Sequence, residues 1–328
     1  MIATPLRVCA SLHYFHSHHQ NTKNNGSFRT IYVPNRQEKK RSRDWLPKIA
    51  ALATAADPQG VQHGFTAGRS PITNAQVHTG YRFSLCFDLK NFFDSVKPHH
   101  CQNLPPAAVP DCFYDGAARQ GLPSSPALAN LAAVGMDQQI LSLNQNTRLR
   151  DLFVYTRYAD DLAFSFNMPA VKDMLLDAIP RITTEHGFTI NPAKTHFQTA
   201  AAGRRMITGI AVDTTIHIPR ASKRRLRAIQ HQRDHGATKR TRSQIRREYP
   251  GRLPFSVRRI LEMRCGGLHE WLKLKMPKNY AAPAAPNAKT ATSASHPAFP
   301  MQNVPSIPGD DLCMNHPFAR KLILDEDV

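Results

Sequence analysis

The sequence has no run of about eighteen apolar residues, so nothing in it reads as a membrane span. It also has no Cys-x-x-Cys pair. The six cysteines, Cys9, Cys86, Cys101, Cys112, Cys265 and Cys313, are scattered, which argues against a zinc site of the usual spacing. A chain of 328 residues needs no disulfides, so this cysteine usage fits a reducing cytosol and a cytoplasmic protein. The N-terminus, Met1 to Arg7, lacks the apolar stretch of a secretion signal. Acids are scarce: 24 Asp and Glu face 43 Lys and Arg, a net charge of +19. That surplus asks for a polyanionic partner, of which nucleic acid is the commonest. An anionic membrane surface is the rival, but no basic amphipathic helix with an exposed aromatic face supports it. Hydrophobic residues make up 41% of the chain, which excludes a wholly disordered basic tail.

The positive charge is concentrated. Arg220 to Lys278 holds eighteen Lys and Arg against four acids, a net +14. Spaced apolar residues in the same stretch (Leu226, Ile229, Ile245, Val257, Ile260, Leu261) predict helices with one packed and one basic face. Gly236, Pro250-Gly251 and Pro254 divide it into about three helices. Such a lobe suits gripping a phosphate backbone, with Arg224, Arg225, Arg227, Arg246, Arg247, Arg258 and Arg259 as candidates; a solvated surface is the bland reading. Residues 281–328 begin rich in Ala, Pro, Ser and Thr and read as a linker and tail. The early histidines His13, His16, His18 and His19 lack nearby carboxylates or thiols and read as a solvated loop.

The middle of the chain carries the chemistry. Arg82 to Leu89 reads as a buried strand ending in Asp88. Leu152 to Tyr158 and Leu162 to Phe166 read as two apolar strands joined at Ala159-Asp160-Asp161. Adjacent acids between apolar strands repel each other and desolvate badly, which a divalent cation relieves. With Asp88 beside that tip, three carboxylates could hold two hard cations for phosphoryl transfer; a plain exposed turn is the alternative. Gln120 to Pro126 reads as a loop opening a helix that runs to about Leu143, with Ser124 or Ser125 able to cap it.

Phe87-Asp88-Leu89-Lys90-Asn91-Phe92-Phe93-Asp94-Ser95, Gln120-Gly121-Leu122-Pro123-Ser124-Ser125-Pro126 and Tyr158-Ala159-Asp160-Asp161 stand in the order of the palm motifs of reverse transcriptases, and the chain resembles a bacterial member of that family. Gly187 to Thr195 is similar to the segment supplying the family's late palm lysine, Ile207 to Val212 to its primer-gripping hairpin, and Gly26 to Pro34 to the fingers strand with its triphosphate-binding arginine. The resemblance runs from about residue 12 to 278. Asn74-Ala75-Gln76-Val77-His78 matches the retron NAxxH pattern, and Ile207-Thr208-Gly209 is close to the retron VTG triplet. A capped turn leading into the palm is the other reading of Asn74 and His78. The short, Pro- and Ala-rich stretch from Lys97 to Arg119 departs from the retron pattern and keeps a related phage-defence enzyme as the alternative.

The resemblance implies a mixed α/β, right-hand polymerase fold: fingers over 1–80, an RRM-like palm over 81–219 and a basic helical thumb over 220–280. It implies an RNA-directed DNA polymerase that copies a structured non-coding RNA into DNA from deoxynucleoside triphosphates, in anti-phage defence and beside an effector protein. Asp88, Asp160, Asp161 and the Leu89 carbonyl would hold two Mg²⁺ ions, with Mn²⁺ as the substitute. Phe93 aligns with the aromatic steric gate, or is a core Phe beside Phe92. Arg29 would contact the triphosphate, Gln120 the template and nucleotide, and Tyr158 would support the primer end or the hairpin. Lys194 would either assist pyrophosphate departure or cap the site electrostatically. Asn74, His78 and the seven lobe arginines would touch nucleic acid. A template-free polymerase making repetitive DNA and a catalytically silent nucleic-acid-binding scaffold remain as the other readings.

Overall fold

The computed structural model describes residues 17–22, 28–57, 59–145, 152–248 and 256–273. In chain order, strands β1 (Ser17–Thr22) and β2 (Phe28–Val33) precede the long helix α1 (Arg36–Ala55). Helix α2 (Pro71–Val77) leads into β3 (Phe83–Asp88), the single turn α3 (Phe92–Ser95) and the short α4 (Val109–Cys112). Helices α5 (Ser125–Ala132) and α6 (Val134–Gln145) follow. Strands β4 (Phe153–Tyr158) and β5 (Asp161–Phe166) come next, then helix α7 (Ala170–Glu185). Four short strands, β6 (His196–Thr199), β7 (Arg205–Ile207), β8 (Ile210–Val212) and β9 (Ile216–His217), precede helices α8 (Arg220–His235), α9 (Lys239–Glu248) and α10 (Val257–Leu272). No helix among the described residues is long and apolar enough to cross a membrane. The described residues divide into two compact units: those up to 53 with 93–132, and those of 54–92 with those from 133 to 273.

In the first unit, β1 and β2 pair antiparallel, with Ser17 opposite Val33 and Asn21 opposite Arg29. His18 and His19 therefore lie on a strand rather than in a loop; His13 and His16 fall outside the described residues. Asn35 starts α1: its Oδ1 accepts from the amides of Gln37 and Glu38 at 2.9 Å, and the Glu38 carboxylate reaches back to the Asn35 amide at 2.9 Å. This reciprocal cap satisfies donors that the first turn leaves orphaned. The Ser42 hydroxyl of α1 donates to Ser124 Oγ at 2.8 Å, tying the helix to the start of α5. The Tyr32 amide donates to the Gln120 carbonyl at 2.9 Å, so β2 and the Gln120 loop are fastened together.

In the second unit, a four-stranded antiparallel sheet has the order β4-β5-β3-β6. Its two central strands are buried almost end to end, Ser84 and Ser165 included. Phe164 is the hub of the core: Phe87 meets it edge-on at 5.8 Å, and Tyr155 stacks on it at 4.9 Å. Each fully buried side chain of this size contributes about 1.5–3 kcal/mol. Helix α7 buries Val171, Leu175, Ala178, Ile179 and Ile182 at helical spacing. A second sheet, β7-β8-β9, sets Ile207, Ile210 and Val212 against Ile72 and Ala75 of α2. The three basic helices form around Ile245, Ile260 and Leu261, with Ile229, Ala237 and Val257 packed on them. Gly236 ends α8 at φ 98°.

Two local expectations change. The helix expected to run unbroken to about Leu143 is interrupted at Ala133, between α5 and α6. Ser124 and Ser125 do not use their hydroxyls as caps: Ser124 Oγ meets Ser42, and Ser125 Oγ donates to the Arg119 carbonyl at 2.8 Å. The stretch 281–328 lies outside the described residues.

Candidate active site

Asp88 ends β3 directly opposite Asp161, which begins β5. On its other side Asp161 faces Tyr158, the last residue of β4. Ala159 and Asp160 alone form the connecting turn, and Ala159 takes the left-handed region at φ 57°. The Leu89 amide donates to the Asp160 carbonyl at 2.9 Å, so the turn is bolted to the residue after Asp88. Strand pairing thus brings together three carboxylates that are separated by some seventy residues of sequence.

The turn is held from behind. The backbone of Val61 to Gly64 runs alongside β4: the Arg157 amide donates to the Val61 carbonyl, and the His63 amide donates to the Arg157 carbonyl, both at 2.8 Å. A Cβ on Gly64 would stand 2.4 Å from the Ala159 amide nitrogen, so only glycine permits this approach. Arg157 and Asp137 of α6 form a buried ion pair, with Nη2 to Oδ2 at 2.8 Å and Nε to Oδ1 at 2.9 Å. The Tyr155 hydroxyl adds a bond to Asp137 at 2.7 Å. Arg157 Nη1 then donates to the Ala159 carbonyl at 3.3 Å, inside the acidic turn. The sequence reading passed over Gly64, Asp137 and Arg157. A signal was present for one of them: Arg157 is a charge in an otherwise apolar strand.

Lys194 and Asn191 complete the site. The Asn191 amide donates to the Asp88 carbonyl at 2.8 Å and its side chain lies 3.4 Å from Asp88 Oδ1. Lys194 Nζ donates to Asp88 Oδ2 at 2.7 Å. Burial pushes the Asp161 carboxyl well above the usual range, and the charges of Asp160 and Asp88 add to this, while Lys194 opposes it. Burial pulls the Lys194 ammonium down, but its bond to Asp88 and the charges of all three aspartates outweigh that and raise it. Among the described residues, no three of His, Cys, Asp and Glu are arranged as a ready cation cage. The donor set nevertheless fits a divalent cation, because hard oxygens crowd together and an ammonium already stands on one of them.

The other candidates fall in different places. Leu89 is buried, and its backbone bridges to Ile190. Tyr158 is buried, and burial, then Asp161, pushes its hydroxyl up to about 12. Arg29, Phe93 and Gln120 belong to the first unit, Arg29 on β2 and Gln120 in the loop bonded to Tyr32. Phe92 takes the core position, against Phe188 at 5.5 Å, and Phe93 is half-buried. Arg224, Arg225, Arg227, Arg246, Arg247, Arg258 and Arg259 are all exposed. Arg220, Lys223, Arg224 and Arg227 stand together on one face along the start of α8.

Asn74 and His78 are wholly buried, which corrects the expectation that they face nucleic acid. His78 bonds Ser165 Oγ through Nδ1 at 2.9 Å and Thr156 Oγ1 through Nε2 at 2.7 Å, locking α2 onto β4 and β5. Asn74 Nδ2 donates to Thr208 Oγ1 at 3.3 Å, in the turn between β7 and β8. The two resemblance motifs around Asn74 and Thr208 therefore meet each other in the interior. Arg205 joins this network, donating to Ser84 Oγ at 2.8 Å and to the His78 carbonyl at 2.9 Å.

A model of the reverse transcriptase family (RNA-dependent DNA polymerase) matches residues 21–227. The chain is 32% identical over 238 residues to the retron Mx65 reverse transcriptase of Myxococcus xanthus, covering 64% of this chain and 54% of that protein. It is 29% identical over 262 residues to the retron Mx162 reverse transcriptase of the same organism, covering 65% and 52%. It is 30% identical over 218 residues to the retron Ec86 reverse transcriptase of Escherichia coli, covering 62% and 64%. The chain thus spans about half the length of the first two relatives. With the acids at the strand ends and the match across most of both units, the chain belongs to the reverse transcriptase family.

Proposed function

We propose that this chain is an RNA-directed DNA polymerase that copies a structured non-coding RNA into DNA by two-metal nucleotidyl transfer, and that it does so in anti-phage defence with an effector protein. The observation that carries the polymerase reading is the meeting of Asp88, Asp160 and Asp161 at adjacent strand ends, with Lys194 on Asp88. The retron relatives support the RNA template, the DNA product and deoxynucleoside triphosphates as substrates. The division into fingers (1–80), palm (81–219) and thumb (220–280) belongs to the same reading.

Mg²⁺ ions held by the three aspartates and the Leu89 carbonyl would supply the primer alkoxide and neutralise charge on the transferred phosphate. The chain's own residues do the rest. Asp137 and Arg157 hold the turn that carries Asp160. Lys194 orients Asp88 through its Oδ2, and its raised proton affinity keeps it cationic beside a departing pyrophosphate. Arg29 steadies the triphosphate, Gln120 the template–nucleotide pair, Phe93 excludes a ribose 2′-OH, and Tyr158 backs the primer end. The exposed arginines of α8, α9 and α10 hold the RNA–DNA hybrid by its phosphates.

The test is synthesis by the purified protein with co-purified RNA, Mg²⁺ and deoxynucleotides, followed by sequencing of the product. DNA complementary to the bound RNA is expected, and none from Asp160→Asn, which still binds RNA. Undiminished synthesis by that variant, or repetitive DNA unrelated to any RNA, would sink the proposal.

A further inference from the structure

We propose that Arg119 is a positioning residue for sugar discrimination, acting through Asp94 to set the place of Phe93. The inference rests on the reading of Phe93 as the residue that excludes a 2′-OH.

Phe93 sits on α3, a helix of four residues. One turn of helix cannot hold itself, because nucleation costs more than a single bond returns. A backbone tie onward is the Ala118 amide, which donates to the Val96 carbonyl at 3.0 Å. A side-chain tie is Arg119, whose Nη1 donates to Asp94 Oδ1 at 3.0 Å. Asp94 is the residue immediately after Phe93.

Arg119 is itself fixed on every side. Its Nε donates to the Tyr114 carbonyl at 3.0 Å, and its Nη2 donates to Asp115 Oδ2 at 2.9 Å and to the Asp115 carbonyl at 3.2 Å. The guanidinium lies over the Tyr32 ring at 5.3 Å. Its backbone carbonyl accepts from Ser125 Oγ at 2.8 Å. The Arg119 side chain is 15% exposed while Asp94 is 51% exposed, so the arginine is the anchored partner and the aspartate the one being held. The planar fork makes this a strut of defined length from β2 and the Gln120 loop to α3, which a lysine could not reproduce. Steric exclusion of one hydroxyl depends on ring placement to a fraction of an ångström, so a loose α3 admits ribonucleotides.

The exposure of Asp94 makes it the safe place to cut. In Asp94→Ala, Arg119 retains its bonds to Tyr114 and Asp115 and its place over Tyr32. The experiment measures kcat/KM for a deoxynucleotide and its matching ribonucleotide on one RNA template, in wild type, Asp94→Ala, Asp94→Asn and Phe93→Ala. Asp94→Ala is expected to lower the deoxy-to-ribo ratio about fivefold, the scale of one exposed charge pair. Asp94→Asn, which keeps an acceptor for Arg119, restores most of it, and Phe93→Ala removes discrimination most completely. An unchanged ratio in Asp94→Ala beside a collapsed ratio in Phe93→Ala overturns the strut and spares the gate. An equal fall for both nucleotides in Asp94→Ala also overturns it. An unchanged ratio in Phe93→Ala overturns the gate reading, and the strut with it.

Discussion

Lys194 sets its ammonium on Asp88, Nζ to Oδ2 at 2.7 Å, across 106 residues of sequence. The contact places a monovalent cation on an oxygen that a divalent ion would use. Replacement by Lys194→Gln is therefore expected to have two opposite effects. The polymerisation rate falls, because a cation beside the leaving phosphate is lost. The Mg²⁺ concentration for half-activation also falls, by up to about tenfold, because a competitor for Asp88 is gone. A magnesium titration of both proteins reads the two effects separately. An unchanged titration midpoint would show that Lys194 and the ion do not compete.

The Asp137–Arg157 pair is buried on both sides, with side-chain exposures of 4% and 0%. Removing one partner leaves a charge that water cannot reach. Asp137→Asn is expected to cost about 3 kcal/mol or more of stability in urea unfolding. Because Arg157 also holds the Ala159 carbonyl, the folded fraction of Asp137→Asn should polymerise more slowly than wild type. Wild-type stability in this variant would contradict the burial of the pair.

Two buried histidines make the fold acid-sensitive. Burial lowers His78 to about 3, with smaller contributions from His63 and Arg205; burial lowers His63 to about 3 as well, with a contribution from Arg69. Both are neutral in the native state and take protons more readily when unfolded. Stability is therefore complete above about pH 6.5 and declines as the pH falls toward 3, by about 1.4 kcal/mol per unit for each histidine. His78→Gln is expected to be less stable at pH 7.5 but to lose stability less steeply between pH 6.5 and 4.5. Equal slopes in the two proteins would refute the role given to His78.

The arginines of α8 predict a salt dependence. Arg224 and Arg227 are exposed and share one face of the helix. If each contacts one phosphate, the slope of log affinity against log salt becomes shallower by about 1 for each alanine substitution. Fluorescence titration of an RNA–DNA hybrid at several salt concentrations measures this. Sequence preference should not change, because phosphates carry none.

Much of the site was legible beforehand. The β4–β5 hairpin with two acids at its tip followed from apolar runs broken by Ala159-Asp160-Asp161. The three basic helices followed from charge and spacing, since period and Gly236 act locally. What misled was a motif without burial. Asn74 and His78 are short polar residues that look available, yet α2 turns both inward, where hydroxyls of Thr156, Ser165 and Thr208 receive them.

The sequence alone determined the excess and location of positive charge, the local elements and the identity of the acids, because charge, periodicity and turn chemistry depend on near neighbours. The tertiary structure decided which distant residues serve those acids. Strand register put Asp88 opposite Asp161, a glycine at position 64 let another backbone brace the turn, and Asp137 found Arg157 across two elements. These pairings are set by packing in a dense interior, where a buried charge must find a partner, and no local pattern records which partner it finds.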